Sequence, residues 1–469
     1  MNKNAPSKRA SSILICISLL ATYLLLPNDR ATSIYFTAAI GVMVSVGCGL
    51  FLESGGELRS LIRTDVLMLV ALYGLTLVEF FFPQEEINDI LGSEQARHGV
   101  EALFLGFAGL IIGRNFVNRS PRQVVGMGIL QLRPNAVFIL YAAALCVSYF
   151  YMLLAVDFDP AELIREMMAP RWAQAWSRGA VGGWEDLLGT LSPLVIYLIP
   201  LIAGCILADL RRYSVAKLAF VTLGLVFTFF YTFSAGTRTV FAITVVLLLG
   251  SYIMFSQRIG PRRIAVLFAL TAGVLYLGAY YMVQFREIGI DTYLRLEGGR
   301  DVEVEGWKSQ TLFIDNNLVT ISQLTEIFPE QTPYLGLEMA TYALLLPVPR
   351  ALWPDKPTKL SVSTADALGE TGVTISSTFV GESYMMGGYP AVLMIGLLFG
   401  WLAGWWDRVG QDLRSNLGII IYASGFLAAL GSMRTFLFAT TYLLPTFALW
   451  LYMKSRQVPA RPQVVHPKT

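Results

Sequence analysis

The chain has 469 residues, of which 55% are hydrophobic and only 14% are charged. This is more apolar surface than a soluble domain can bury, so the composition indicates a polytopic membrane protein. The formal net charge of +2 is nearly balanced. Nucleic-acid binding would need a dense basic patch, so the composition argues against a nucleic-acid partner.

Apolar stretches recur along the chain from near its first residue to near its last. A membrane-spanning helix needs roughly 17–25 predominantly apolar residues, and this criterion predicts about twelve transmembrane helices, although the fourth stretch is short. They cover residues 12–26, 31–52, 65–82, 99–113, 135–155, 190–208, 216–234, 239–256, 264–284, 389–406, 417–432 and 435–452. The fold class expected is therefore an all-α membrane protein.

The distribution of basic residues predicts the orientation of these helices. If both termini are cytoplasmic, the inner segments contain 21 of the 35 basic residues. The short outer turns then contain only Arg30, Arg97, Arg238 and Arg434. The other basic residues lie in two long outer loops, where the positive-inside rule has little force. We therefore expect cytoplasmic termini and outward-facing long loops.

This topology divides the chain into four parts. Residues 1–285 carry predicted helices one to nine, residues 286–390 form a large outer loop, residues 391–453 carry the last three helices, and residues 454–469 form a cytoplasmic tail. The smaller outer loop covers residues 156–189.

Both outer loops contain helical signals. Asp159 followed by Pro160 has the pattern of an N-cap and a first helical residue, and the helix that it predicts should lie on the membrane surface. In the large loop, residues 312–327 have helical spacing, with Asp315 as the expected cap. Residues 338–346 are apolar but too short to span, which predicts a helix that enters the membrane partway.

Arg238 is the sharpest single functional signal. It interrupts the almost continuously apolar residues 216–256, at a turn between two predicted helices. A charge at membrane depth costs about 3 kcal/mol on insertion scales unless it is paired or faces a wet cavity, and the planar guanidinium suits a phosphate. The alternative is an arginine that extends to the interface. Arg434 repeats the pattern between the last two predicted helices, and there the two interpretations are balanced.

The large loop supplies further candidate cations. Most of the seven basic residues in this loop are expected to be solvated surface charges. The seven are Arg286, Arg295, Arg300, Lys308, Arg350, Lys356 and Lys359. Arg350 is better placed than the others because neighbouring prolines fix its backbone and Trp353 can anchor the segment at the interface. Preorganised cations are what a diphosphate group requires.

Glu382 lies just before the tenth predicted membrane helix. Tyr384 follows two residues later, and Gly387 with Gly388 allows a close backbone approach. A carboxylate at this depth could act as a general base. A glutamate favoured by the positive end of a helix dipole explains it equally well.

A metal site is not predicted. Asp157 and Asp159 have the spacing of a metal-diphosphate motif. However, the helix cap already accounts for Asp159.

Three segments of the chain resemble the Wzy-type O-antigen polymerases, a family of oligosaccharide repeat-unit polymerases. Residues 349–357, of sequence PRALWPDKP, resemble the proline-rich loop motif of that family. Residues 234–238, of sequence SAGTR, are similar to its turn of small residues and an arginine. Residues 381–384, of sequence GESY, together with Gly388, resemble the region before its closing helices. About a dozen helices and one large outer loop also fit this family.

The resemblance implies a glycosyltransferase of the bacterial inner membrane whose active face is periplasmic. Such an enzyme transfers a growing glycan from undecaprenyl diphosphate to a sugar hydroxyl of another lipid-linked repeat unit, and it works with a chain-length regulator. No cofactor is needed because the leaving group carries its own activation. The diphosphate ligands implied are Arg238, Arg350, Arg434 and Lys356. Glu382 would be the base, with Tyr384 and Arg286 in supporting positions.

Three other functions remain open. The related O-antigen ligases share the donor, but resemblance to them implies a functional histidine in the large outer loop, and residues 286–390 contain none. A transporter or flippase for lipid-linked sugars would also have many helices and cavity arginines. It would have less use for a hundred-residue outer loop, and no internal repeat stands out. A membrane assembly component without catalysis is the third alternative.

Overall fold

The computed structural model describes residues 8–82, 84–117, 130–170, 173–177, 184–256, 259–285, 288–297, 316–348, 353, 355–357, 359–370, 375–411, 413 and 415–456. Every regular element in these ranges is a helix. The longer helices, in chain order, are α1 (Lys8–Leu24), α2 (Ala31–Ser54), α3 (Thr64–Thr76), α4 (Ser93–Gly113), α5 (Pro134–Ala155), α6 (Pro160–Met168), α7 (Trp184–Val195), α8 (Leu198–Leu207), α9 (Val215–Ser234), α10 (Arg238–Phe255), α11 (Pro261–Phe285), α12 (Ile290–Glu297), α13 (Asn317–Ile327), α14 (Glu338–Leu345), α15 (Thr378–Gly410), α16 (Asn416–Arg434) and α17 (Leu444–Arg456). Single helical turns at Ile87–Ile90, Thr364–Ala367 and Ala439–Tyr442 and a few 3-10 turns lie between them.

Within the described ranges, eight helices are long and apolar enough to cross a membrane: α2, α4, α5, α9, α10, α11, α15 and α16. The prediction of an all-helical membrane protein is confirmed in this form. Shorter helices occupy the other four predicted segments, namely α1, α3, the α7–α8 pair and α17. The number twelve and the orientation of the helices therefore stay predictions.

Residues 160–168 form the helix that the Asp159–Pro160 pattern predicts. The Asp159 carboxylate accepts hydrogen bonds from the backbone N–H groups of Ala161 at 2.8 Å and Glu162 at 3.3 Å. These N–H groups belong to the first turn of α6, where no intrahelical acceptor exists. Asp159 is therefore a helix cap, as its position before Pro160 indicates.

Within the segment 286–390, α13 is the helix that is inserted into the bundle. Asn317 at its start is fully buried and donates a hydrogen bond to the Leu75 carbonyl at 2.8 Å. The Ser322 and Tyr35 hydroxyls are hydrogen-bonded at 2.6 Å. Residues 338–345 of the segment 338–346 are helical, but α14 buries only two residues, and Leu344 in it is 68% exposed. The deeper insertion belongs to α13, whose start is at Asn317; Asp315 lies outside the described residues.

Helices α4 and α15 pack through glycines. Gly396, Gly400 and Gly404 repeat every four residues along α15, so they lie on one face of that helix. A Cβ on Gly400 would lie 2.3 Å from the Leu110 carbonyl oxygen of α4, and one on Gly404 would lie 2.6 Å from the Arg114 carbonyl oxygen. The two backbones are therefore in direct contact, which only small residues allow.

A buried ion network joins four helices at one end of the bundle. Arg114, whose side chain is fully buried, pairs with Glu53 at 3.0 Å and Asp65 at 3.4 Å. Arg63 contacts the same two carboxylates at 2.7 and 3.0 Å. Lys8 also contacts Asp65, at 2.7 Å. The network ties α1, α2, α3 and α4 together at the end that the distribution of basic residues assigns to the cytoplasm.

Asp407 of α15 connects that helix to the same end. Its carboxylate accepts hydrogen bonds from the N–H groups of Thr64 at 2.7 Å and Asp65 at 3.1 Å, and from the Tyr422 hydroxyl at 2.8 Å. It therefore caps α3 from a distant part of the chain, because the N–H groups of a first helical turn lack intrahelical partners.

We expect Gly400→Ala to destabilise the protein by about 1–3 kcal/mol, the usual cost of overpacking. The added methyl group meets a backbone carbonyl of α4, which cannot move without shifting that helix. Gly273→Ala on α11 is the matched control, because nothing lies within 4 Å of a Cβ there. Thermal unfolding in detergent measures both variants. Equal stability of the two would contradict the close packing of α4 and α15.

Candidate functional site

Two arginines from separate parts of the chain lie at the end of the bundle opposite the ion network. Arg238 is the first residue of α10, and Arg434 is the last residue of α16. Nη1 of Arg434 donates a hydrogen bond to Oγ1 of Thr239 at 3.1 Å. Both arginines are half-buried, and Nη1 of Arg238 is a buried atom. The structure therefore brings these two predicted site residues to neighbouring helix ends.

The turn before Arg238 is as tight as its sequence indicates. Helix α9 ends at Ser234 and α10 begins at Arg238. Gly236 between them has φ +62°, a conformation that residues with a Cβ rarely adopt. The turn therefore holds Arg238 at the start of α10, one residue before Thr239.

The Glu382 carboxylate is bonded to the residues that follow Arg434. It accepts hydrogen bonds from the Thr435 hydroxyl and from the N–H groups of Phe436 at 2.6 Å and Leu437 at 3.4 Å. Glu382 is only 7% exposed, and a buried carboxylate is costly unless it has such partners. Glu382 therefore fixes the chain where α16 ends, which positions Arg434. This contact is neither the helix-dipole role nor the base role considered from the sequence.

A kink in α15 separates the segment that carries Glu382 from the rest of the helix. Gly387 and Gly388 have non-helical backbone angles. Gly388, at φ +67° and ψ −156°, occupies a region that is essentially limited to glycine. A Cβ at Gly388 would also lie 2.7 Å from the Tyr334 hydroxyl oxygen. The close approach expected at these glycines is thus made by Tyr334.

Tyr384 lies before the kink, like Glu382, and belongs to an aromatic cluster that also includes Tyr389 after the kink. Its ring centroid lies 6.3 Å from that of Tyr334 and 5.1 Å from that of Tyr389, both in edge-to-face geometry. Nearby, the Tyr23 hydroxyl donates a hydrogen bond to Glu101. Edge-to-face pairs add roughly 0.5–1.5 kcal/mol each beyond their area burial, so Tyr384 supports the kinked segment by packing.

The loop residues predicted as ligands are only partly described. Nζ of Lys356 donates hydrogen bonds to the carbonyl oxygens of Leu346 at 2.6 Å and Val348 at 2.9 Å, and it thereby closes its own turn. Arg286 and Arg350 lie outside the described residues. Their predicted roles stay predictions.

Three polar partners at this site were not predicted. They are Thr239, which accepts from Arg434; Thr435, which donates to Glu382; and Ser376, whose hydroxyl donates to the Arg434 carbonyl at 3.4 Å. The only local signal is a hydroxyl residue directly after each arginine. Among the described residues, no group of three or more His, Cys, Asp or Glu side chains could hold a metal ion.

No protein-family model matches this chain, and neither a curated protein nor a solved structure matches it.

We expect Gly388→Ala to destabilise the protein by about 1–3 kcal/mol, because it forces a side chain into a glycine-only conformation and against Tyr334. Gly387→Ala is the matched control: its φ of −178° is an extended value, and its nearest neighbour is the Ala391 methyl group at 3.3 Å. Thermal unfolding of both variants in detergent is the measurement. A Gly387→Ala variant that is as unstable as Gly388→Ala would contradict this assignment of strain.

Proposed function

We propose that this chain is a glycosyltransferase that polymerises undecaprenyl-diphosphate-linked oligosaccharide repeat units at the periplasmic face of a bacterial inner membrane. The observation that carries the proposal is the meeting of the Arg238 and Arg434 helix ends, beside the segment that Glu382 holds. The distribution of basic residues assigns this end of the bundle to the outside. The resemblance of three sequence segments to Wzy-type polymerases agrees with it.

The two arginines supply the electrostatics of the reaction. In the transfer, the acceptor hydroxyl oxygen forms a bond to the anomeric carbon of the donor, and the bond from that carbon to the diphosphate oxygen breaks. Undecaprenyl diphosphate leaves with the electron pair. Guanidinium groups held in place before the reaction stabilise the developing negative charge on that oxygen. The leaving group is already activated, so the proposed reaction uses no cofactor.

Glu382 is the proposed acceptor of the hydroxyl proton. An ionised carboxylate has about four lone-pair sites, and three hydrogen bonds from residues 435–437 occupy three of them. One site is left for the sugar hydroxyl. Glu382 thus combines the role of base with that of holding Arg434 in place.

The large outer loop completes the proposed site. Arg350 and Arg286 would add positive charge from residues 286–390, Lys356 would hold the turn next to Arg350, and Tyr384 would pack beneath the Glu382 segment. The partners proposed are the lipid-linked donor and acceptor, the bilayer and a chain-length regulator.

We expect Arg238→Ala and Arg434→Ala each to lower polymerisation by about 10²–10³-fold, the usual effect of removing one transition-state donor. The assay is extension of undecaprenyl-diphosphate-linked repeat units by reconstituted protein, read as a ladder on a gel. Arg165→Ala is the matched control, since this arginine of α6 has a side chain that is 72% exposed. Normal ladders from both site variants would refute the proposal.

Cells lacking the protein should carry single repeat units on the outer face; their accumulation on the cytoplasmic leaflet would instead favour a flippase.

The base role of Glu382 has a separate test. Glu382→Gln keeps an acceptor oxygen for residues 435–437 but cannot take up a proton, so we expect it to lower polymerisation by about 10²–10⁴-fold while thermal stability changes little. Glu382→Ala should lose both activity and stability. A Glu382→Gln variant that polymerises normally would limit Glu382 to its structural role.

A further inference from the structure

A cavity of about 590 Å³ lies at the far end of two helices that carry the candidate site. Met254 and Phe255 in the last turn of α10 line it, and so does Asn416, the first residue of α16. Helix α10 has 18 residues, and at 1.5 Å per residue the cavity is roughly 25 Å from Arg238. It is therefore distinct from the proposed diphosphate site.

The cavity carries an excess of positive charge. Arg211, Arg212 and Arg263 line it, and all three are exposed. Among the described residues that line the cavity, the only acidic one is Asp209, which pairs with Arg212 at 2.7 Å. The first residue of α5, Pro134, also lies on the wall, and a helix N-terminus adds partial positive charge. An anion is therefore the ligand that this wall favours.

Part of the rest of the wall is apolar, and it lies beside the polar residues Gln131, Tyr213, Ser256 and Asn416. Leu132, Val137, Ile259 and Ile419 line the cavity together with the α10 residues. A ligand that satisfies both walls has a phosphate group joined directly to hydrocarbon. A free phosphate would leave the apolar wall in contact with water, whereas a lipid would cover it. The volume is in the range of small-molecule sites, so it suits a headgroup and the start of its acyl chains.

We propose that this cavity binds the phosphate headgroup of an anionic phospholipid, in the leaflet that the distribution of basic residues assigns to the cytoplasm. The site goes beyond the proposed polymerase function, because it uses other residues at the opposite end of the bundle. It is a lipid-binding site set by three arginines and an adjoining apolar wall.

The test is lipid titration of the purified full-length protein in detergent, followed by native mass spectrometry. Phosphatidylglycerol should bind at least about tenfold more tightly than phosphatidylcholine with the same chains, because basic residues near the surface favour anionic lipid. The triple variant Arg211→Gln, Arg212→Gln, Arg263→Gln should lose at least about tenfold in phosphatidylglycerol affinity. The corresponding triple Arg→Lys variant should keep most of it.

The matched control removes the same charge from outside the cavity. Arg9, Arg262 and Arg408 lie on the same predicted face and are not part of the lining. The triple variant Arg9→Gln, Arg262→Gln, Arg408→Gln should bind phosphatidylglycerol within about twofold of the wild type. Equal losses in the two glutamine variants, or equal affinity for the two lipids, would overturn the proposal. Glycerol 1-phosphate distinguishes the source of the phosphate: weak competition supports a lipid, and competition at the lipid's own concentration shows that the ligand is a soluble phosphate.

Discussion

The contact between the glycines of α4 and α15 is the constraint on which the rest of this structure depends. In a bilayer, lipid tails are as apolar as leucine, so helices associate through close packing and polar contacts rather than through a hydrophobic driving force. The glycines at 396, 400 and 404 allow the two backbones to touch. Helices α3 and α13 pack against both members of this pair, while α1 and α2 join α4 and α16 joins α15. The other helices at both ends of the bundle are therefore positioned by their contacts with α4 and α15.

The described partners of the buried charged groups differ between the two ends of the bundle. At the end that contains Arg114, two carboxylates lie against its buried guanidinium and against the half-buried guanidinium of Arg63, so positive charge is neutralised where it is removed from water. At the other end, the Glu382 carboxylate accepts from a hydroxyl and two backbone N–H groups, while Arg434 donates to a hydroxyl. Charges that pair with each other hold helices together. At this end Arg434 and the residues that bind Glu382 are consecutive in the chain, which is why it is the better candidate site.

Local sequence patterns predicted the parts of the fold that depend on neighbouring residues. The apolar segments became helices, Asp159 caps the helix that Pro160 starts, and the small residues before Arg238 form a tight turn. The contacts that build the ends of the bundle join distant residues: Asp407 caps a helix that begins 343 positions earlier, and Glu382 binds residues 53 to 55 positions later. Hydrophobic periodicity contains no information about such pairs, so both were missed.

The geometry of the candidate site follows from the scaffold rather than from the arginines themselves. The contact between α4 and the glycines of α15 fixes the part of α15 that follows the kink. The kink at Gly388, which lies against Tyr334, then sets the position of the part that precedes it. Glu382 on that segment then fixes the chain at residues 435–437, and this determines where α16 ends and where Arg434 lies. The turn at Gly236 separately places Arg238 at the same end of the bundle. The helix ends that carry the two arginines are therefore positioned by two separate sets of contacts.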